Sequence, residues 1–321
     1  MSDQTSPFKS RVVQSVERAR SLGKFAWLLI VVIIVLPVLW YGVGGVLVHT
    51  IDDDTTYAVV VEPGASKAVA TAEALIRRET ETHRWTASDP FFMPSSWLDN
   101  MPNFQQGLIS ALSRFAIEMS DQIGRVRGSS QVDADLDKAA GLLKYPGHVW
   151  IFDLSTSLAP TAPARSQYLA AANSLASYNA RLAQGDAVFE RRSDNLLATI
   201  DRITADLGSA SAVIDEALVE LGAFSFDADD VFYRTKGRLY GYFMLLEGMG
   251  EDFREVLQER DLDTVWAEML KSLRAAAEMD PLLVINGAPD GPILPSHLAA
   301  QGFFLLRTRT QLKEITNVLL K

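Results

Sequence analysis

The stretch FAWLLIVVIIVLPVLWYGVGGVLV, Phe25 to Val48, decides how the chain is read. Its 24 residues carry no charge. An α-helix rises ~1.5 Å per residue, so ~20 apolar residues cross a hydrocarbon core of ~30 Å. The run is long enough to span with some tilt. Pro37 lies inside it, and a lipid-embedded helix tolerates proline better than a soluble one does. Trp40 and Tyr41 suit the far interface but stand eight and seven residues before Val48. Gly42, Gly44 and Gly45 loosen the last turns, so the helix ends near Tyr41 or runs on to Val48.

The flanks predict the orientation. Lys9, Arg11, Arg18, Arg20 and Lys24 precede the run, against Asp3 and Glu17. Asp52, Asp53, Asp54 and Glu62 follow it, with no Lys or Arg before Lys67. Short basic flanks stay in the cytoplasm. The expectation is a single-pass protein of the bacterial inner membrane, with residues 1–24 as a basic cytoplasmic tail and the chain after the span in the periplasm. The alternative is a cleaved signal peptide, whose apolar region is shorter and ends in a small-x-small site that Gly42-Val43-Gly44 imitates. With no cysteine, a lipoprotein anchor, disulfides and thiol chemistry are all excluded.

The chain has 321 residues and a formal charge of −10. The tail contributes +3, leaving −13 for the rest. That balance argues against a nucleic-acid partner, since no basic stripe remains to neutralise phosphates. The hydrophobic fraction of 48% is enough for a core apart from the span.

Residues 49–64 read as an acidic exit linker. Asp52, Asp53 and Asp54 form a solvated collar by this reading, since the spread ligands and glycine turn of a calcium loop are missing. Tyr57 to Val61 suits a short strand. From 65 to 321 helical spacing dominates, which predicts a mostly α-helical domain. Ser66 caps a helix carrying Val69, Ala72, Leu75 and Ile76 on one face. Phe104, Leu108, Leu112, Phe115, Met119 and Ile123 mark another over 103–123, and a shorter one follows over 132–144.

The clearest long pattern lies in 164–221. Tyr168, Leu175, Leu182, Phe189, Leu196 and Ile203 are seven apart, and Ile200, Leu207, Ile214 and Leu221 form a second row. Sustained heptads mark helices packed at a small angle, within a bundle or between chains as a coiled coil. A break near Gly185 or Gly208 is expected, because one unbroken helix there would be very long. Further helices are expected from near Val231 to about Gly248, over 262–279, and from a Ser296 cap to Leu320.

Specific chemistry is hard to find. The sequence has no phosphate-binding glycine loop outside the span, no H-E-x-x-H and no G-x-S-x-G, and its four histidines are far apart. No cofactor and no metal ligand set is expected. Paired carboxylates are the enzymatic alternative, with Glu118 and Asp153 the least arbitrary pair.

Between Trp85 and Phe104 the chain is instead rich in aromatics and prolines: Trp85, Phe91, Phe92, Trp97 and Phe104 stand among Pro90, Pro94 and Pro102. That reads as a long loop whose aromatics pin it to the domain, line a pocket, touch the outer leaflet, or enter a partner. Phe91, Phe92 and Trp97 are the candidate partner-binding residues, since aromatic side chains with few charges suit an interface centre. The leading expectation is a membrane-anchored scaffold or accessory subunit of an envelope complex, contacting a protein partner or itself. The runners-up are a periplasmic hydrolase and an envelope small-molecule binding module.

Three segments carry a family resemblance: DPFFMPSSWLDNMPNFQQG (Asp89 to Gly107), YPGHVWIF (Tyr145 to Phe152) and LPSHLAAQGFFLLRTRTQL (Leu294 to Leu312). With the basic tail and single span, they resemble an uncharacterised family of proteobacterial inner-membrane proteins, a domain of unknown function. The resemblance covers nearly the whole chain. It implies a Gram-negative, single-pass, mostly helical protein, and it brings no activity and no catalytic residue.

Overall fold

The computed structural model describes residues 7–123, 132–152, 158–288 and 294–321. They fall into two units: the chain up to His49 together with Phe91–Trp97, and Thr50–Pro90 together with Leu98–Lys321. Both are helical, and no strand occurs among the described residues.

The first unit is a helix and a short segment on its side. Helix α1 (Pro7–Ile30) runs through a π-turn at Val31–Val35 into α2 (Leu36–Val48). Pro37 explains the π-turn. It has no N–H for the preceding turn, so the helix widens there and Leu36 N–H reaches back five residues to the Val31 carbonyl. Arg20–Val48 is long and apolar enough to cross a membrane, and its side chains are almost all uncovered by protein. The 29 residues of this stretch reach ~43 Å at ~1.5 Å each, close to a bilayer with its headgroups.

The second unit is a helical bundle of α3 (Lys67–Arg77), α4 (Asn100–Glu118), α5 (Ala134–Leu143), α6 (Ala164–Gln184), α7 (Ser193–Glu220), α8 (Phe226–Asp252), α9 (Arg254–Glu259), α10 (Asp263–Ala277) and α11 (His297–Leu319). Ser66 caps α3 by accepting from Val69 N–H, and Asp133 and Ser296 cap α5 and α11 in the same way. Asp252, at the end of α8, also takes the Lys67 and Ala68 N–H groups at 2.8 and 3.0 Å. It thus joins the two helices through orphan donors.

The long pattern of 164–221 breaks at Gly185, whose φ of +81° closes α6, and passes through Gly208 without interruption. Both heptad rows are buried as far as Ile214. The partner of α7 is α11 of the same chain, which carries its own row at Leu298, Leu305, Leu312 and Leu319.

Helix α4 lies against α8 at very short range. A side chain on Gly107 or Gly237 would stand 2.0 Å from the backbone carbonyl of Arg234 or Phe104. Only glycine admits that approach.

Several expectations need correction. Tyr57 to Val61 is irregular, since no neighbouring strand is present to pair with it. Helix α8 starts at Phe226, five residues before Val231, and passes through Gly248 and Gly250, where Ala68 and Trp266 crowd its side. Residues 124–130 and Asp290-Gly291, where residue types suit turns, lie outside the described residues.

Candidate functional site

Two places gather the side chains that the apolar pattern does not explain. The first is a polar clamp inside the bundle. Arg78 is 5% exposed, and Glu79, Gln105 and Lys236 are fully buried. The apolar face of α3 puts Glu79 inside, for it lies seven residues after Ala72 on the row that includes Leu75 and Ile76. Lys236 sits likewise between Phe232 and Tyr240 on the buried face of α8.

Charges in an interior survive only if paired. Arg78 Nη1 meets Asp52 Oδ1 at 3.1 Å and donates to the Tyr240 hydroxyl at 2.8 Å. Its Nη2 donates to the Asp52 carbonyl at 2.7 Å and to Glu79 Oε1 at 3.1 Å. The guanidinium lies over the rings of both Tyr57 and Tyr240, 5.3 and 5.2 Å from their centroids. Tyr240 donates onward to the Asp54 carbonyl at 2.9 Å.

Gln105 closes the other side. It donates to Glu79 Oε2 at 3.2 Å and accepts from the Thr86 N–H and hydroxyl, each at 2.9 Å. Burial pushes the Glu79 carboxyl above the usual range, against the pull of Arg78. Asp52 Oδ2 also meets His83 Nε2 at 2.9 Å. Lys236 Nζ stands 2.7 Å from Asp53 Oδ2 and 3.7 Å from Asp280. The Lys236–Asp53 approach is off the hydrogen-bond line, so the attraction is chiefly coulombic.

The acidic collar is therefore solvated only in part, with Asp54 exposed as expected. Asp52 and Asp53 are counter-ions to two buried cations, and Thr55 reaches Glu278 Oε1 at 2.6 Å. Residues 49–51 alone separate the end of α2 from the first clamped carboxylate.

The second place is Phe91–Trp97, on the apolar helix. Trp40 Nε1 donates to the Phe92 carbonyl at 2.9 Å, and the Tyr41 hydroxyl to the Phe91 carbonyl at 2.8 Å. The Trp97 ring stacks on Tyr41, with centroids 4.6 Å apart and planes 15° apart. Pro94 fits against Gly44, where a side chain would lie 2.9 Å from its Cβ. The single Ser96 O–H stands between the carbonyls of Phe91 and Met93, 2.8 and 2.7 Å from Oγ, and is shared by them.

The structure thus brings Phe91, Phe92 and Trp97 together, and leaves Phe91 81% and Trp97 72% exposed. Trp85 and Phe104, from the same sequence stretch, go elsewhere. They are core residues, Trp85 donating to the Gly147 carbonyl and packing edge-on to Tyr168.

Of the alternative carboxylate pair, the structure describes Glu118 alone. Glu118 is buried and bound to Arg202 Nε at 2.8 Å, and Asp153 lies outside the described residues. Another acidic group stands by the start of α8. Burial and the nearby Asp99 and Asp230 carboxylates raise Asp229 to about 6, and Asp230 is raised as well. Asp227 and Asp230 line an open hollow of about 320 Å³ with Arg234 and Arg238. Among the described residues, no three His, Asp or Glu side chains converge as a metal set would.

Sequence reasoning missed the clamp. Its signal was present as Glu79 and Lys236, two charges on otherwise apolar helix faces.

A helical bundle and one exposed apolar helix define a class, the helical proteins with a single candidate membrane anchor. Within that class the chain belongs to the bacterial family described as "Uncharacterized protein conserved in bacteria (DUF2333)", whose model matches residues 14–227 and 223–321. No curated protein and no solved structure matches it.

Proposed function

We propose that this protein is a membrane-anchored accessory or scaffold protein of the cell envelope, acting by contact and not by chemistry of its own. On this reading the basic tail is cytoplasmic, the anchor crosses the inner membrane, and the bundle is periplasmic. The observation that carries it is the closure of the clamp. Arg78, Glu79, Gln105 and Lys236 bind one another and the exit segment, and none of them lines the hollows beside Tyr168, Arg234 or Trp150. An enzyme holds its perturbed groups toward a cleft. A clamp of this kind instead ties the chain that leaves the anchor into the bundle interior.

Crosslinking in cells, followed by purification from membranes, tests the proposal. A reproducible protein partner, or a crosslinked dimer, is expected. Recovery of the chain alone, at every crosslinker length, removes its main support.

The acids near α8 favour a second reading, a hydrolase in which Asp229 keeps its proton up to about pH 6 and Asp230 lines the hollow. Hydrolysis of any envelope substrate by the wild type, lost in Asp229→Asn, would establish it.

A further inference from the structure

The sequence reading offered Phe91, Phe92 and Trp97 to a protein. We infer that they instead enter the lipid leaflet on the bundle's side of the membrane, as a second contact clipped to the anchor helix. This rests on the reading of Arg20–Val48 as a membrane span.

Depth is the first argument. Lys24 is the last charge before the apolar run. Counting ~20 residues from Phe25 for the ~30 Å core puts the far hydrocarbon boundary at about Gly44. Trp40 and Tyr41 occupy the last turn before that boundary, and Pro94 packs at Gly44 itself. The segment held by these three residues therefore lies where the core gives way to headgroups. Trp and Tyr concentrate in that layer, with rings in the apolar part and polar edges toward water.

Hydrogen bonding is the second argument. Irregular backbone does not survive beside hydrocarbon unless its carbonyls are satisfied within the protein. Here three of them are. Phe91 O accepts from the Tyr41 hydroxyl, Phe92 O from Trp40 Nε1, and Met93 O from the Ser96 N–H. A water-exposed loop has no need of this, since solvent would serve the same groups. The Trp40 and Tyr41 polar edges, which would otherwise face lipid, are satisfied by the same contacts.

Composition is the third. Residues 90–98, PFFMPSSWL, carry no charge, and Asp89 and Asp99 bound them on either side. The uncovered side chains Phe91, Phe92 and Trp97 continue the lipid-facing surface of the helix, which is exposed at Val43 and Val46 as well. The occupant is the interfacial zone of a phospholipid bilayer.

The chain has no cysteine, so single cysteines report position directly. Full-length variants Phe91→Cys, Phe92→Cys, Val43→Cys and Val219→Cys are spin-labelled and reconstituted in vesicles of phosphatidylethanolamine and phosphatidylglycerol. Oxygen partitions into lipid and a nickel chelate stays in water. Labels at 91 and 92 are expected to match 43, with an oxygen-to-nickel collision ratio several-fold above that at 219. A ratio at 91 and 92 equal to that at 219 overturns the inference, and so does shielding from both reagents, which would mean burial against protein. If 43 itself reads as aqueous, the anchor reading fails, and this inference fails with it. Lipid contact at 43 with water contact at 91 and 92 sinks only the clip.

A second measurement avoids cysteines altogether. Tryptophan emission of the wild type less that of Trp97→Phe isolates Trp97. Lipids brominated near the head of the acyl chain should quench that difference more than lipids brominated at its far end. No quenching by either kind overturns the proposal.

Discussion

The bundle and the anchor unit invert each other. In the bundle, charge is inside: Arg78, Glu79 and Lys236 are buried, and their partners close around them. In the anchor unit, apolar surface is outside. Leu29, Ile33, Leu36 and Val43 are uncovered, and the polar edges of Trp40 and Tyr41 turn to backbone carbonyls. One arrangement suits a domain in water whose few internal charges must be paired. The other suits a helix whose solvent is hydrocarbon. The difference is the one expected of two units that answer to different solvents.

The largest effect should come from breaking the clamp. Arg78→Met leaves Glu79 buried without its cation. Removing one member of such a pair costs about 3–5 kcal/mol. Denaturant unfolding of the purified protein in detergent measures it. A loss below about 1 kcal/mol would mean that water reaches the pair and that the interior is not dry.

Next is the buried heptad row of α7. Leu196 on that row is fully buried. Leu196→Ala should cost about 2–5 kcal/mol through lost transfer energy and the cavity left behind. The same truncation at Val43, which faces no protein, should leave unfolding of the bundle within about 0.5 kcal/mol of wild type.

A smaller effect, of opposite sign, is expected at Asp229. Its folded pKa of about 6 lies above the ordinary aspartate value of 3.8. The folded state therefore holds the proton more tightly, and stability falls as pH rises from about 4 to 6. At pH 7 the penalty is complete. Asp229→Asn should then stabilise the bundle by roughly 1–2 kcal/mol, discounted from the full shift for its partial exposure. At pH 4 the gain should be nearly gone. Equal gains at both pH values would show that the carboxylate is not strained.

The smallest effect on stability belongs to the anchor unit. Gly44→Leu should push Pro94 away and release the Tyr41–Trp97 stack, seen as a change in tryptophan emission with no shift in bundle unfolding. An unchanged emission would break the proposed contact.

Much of this fold was legible because helical periodicity is written in residue type alone. The rows from Tyr168 to Ile203 and from Ile200 to Ile214 mark the buried faces of α6 and α7. The break at Gly185 was also legible, since a left-handed residue there suits glycine. The row at Leu298, Leu305, Leu312 and Leu319 was equally readable and went unread.

The clamp was less legible. It joins residues up to 186 positions apart, and a run of three aspartates looks the same in sequence whether solvated or paired. The aromatic segment was half legible. Its residue types announced an interface, but only packing separates Phe91, Phe92 and Trp97 from the core residues Trp85 and Phe104.

The claim beneath all of this is that the two units face different solvents across one membrane. Its most direct test is a pair of reporters fused at Lys321, one active only in the periplasm and one only in the cytoplasm, each expressed on the full chain and read in the membrane fraction. The account predicts activity from the periplasmic reporter alone. Activity from the cytoplasmic reporter alone would contradict it.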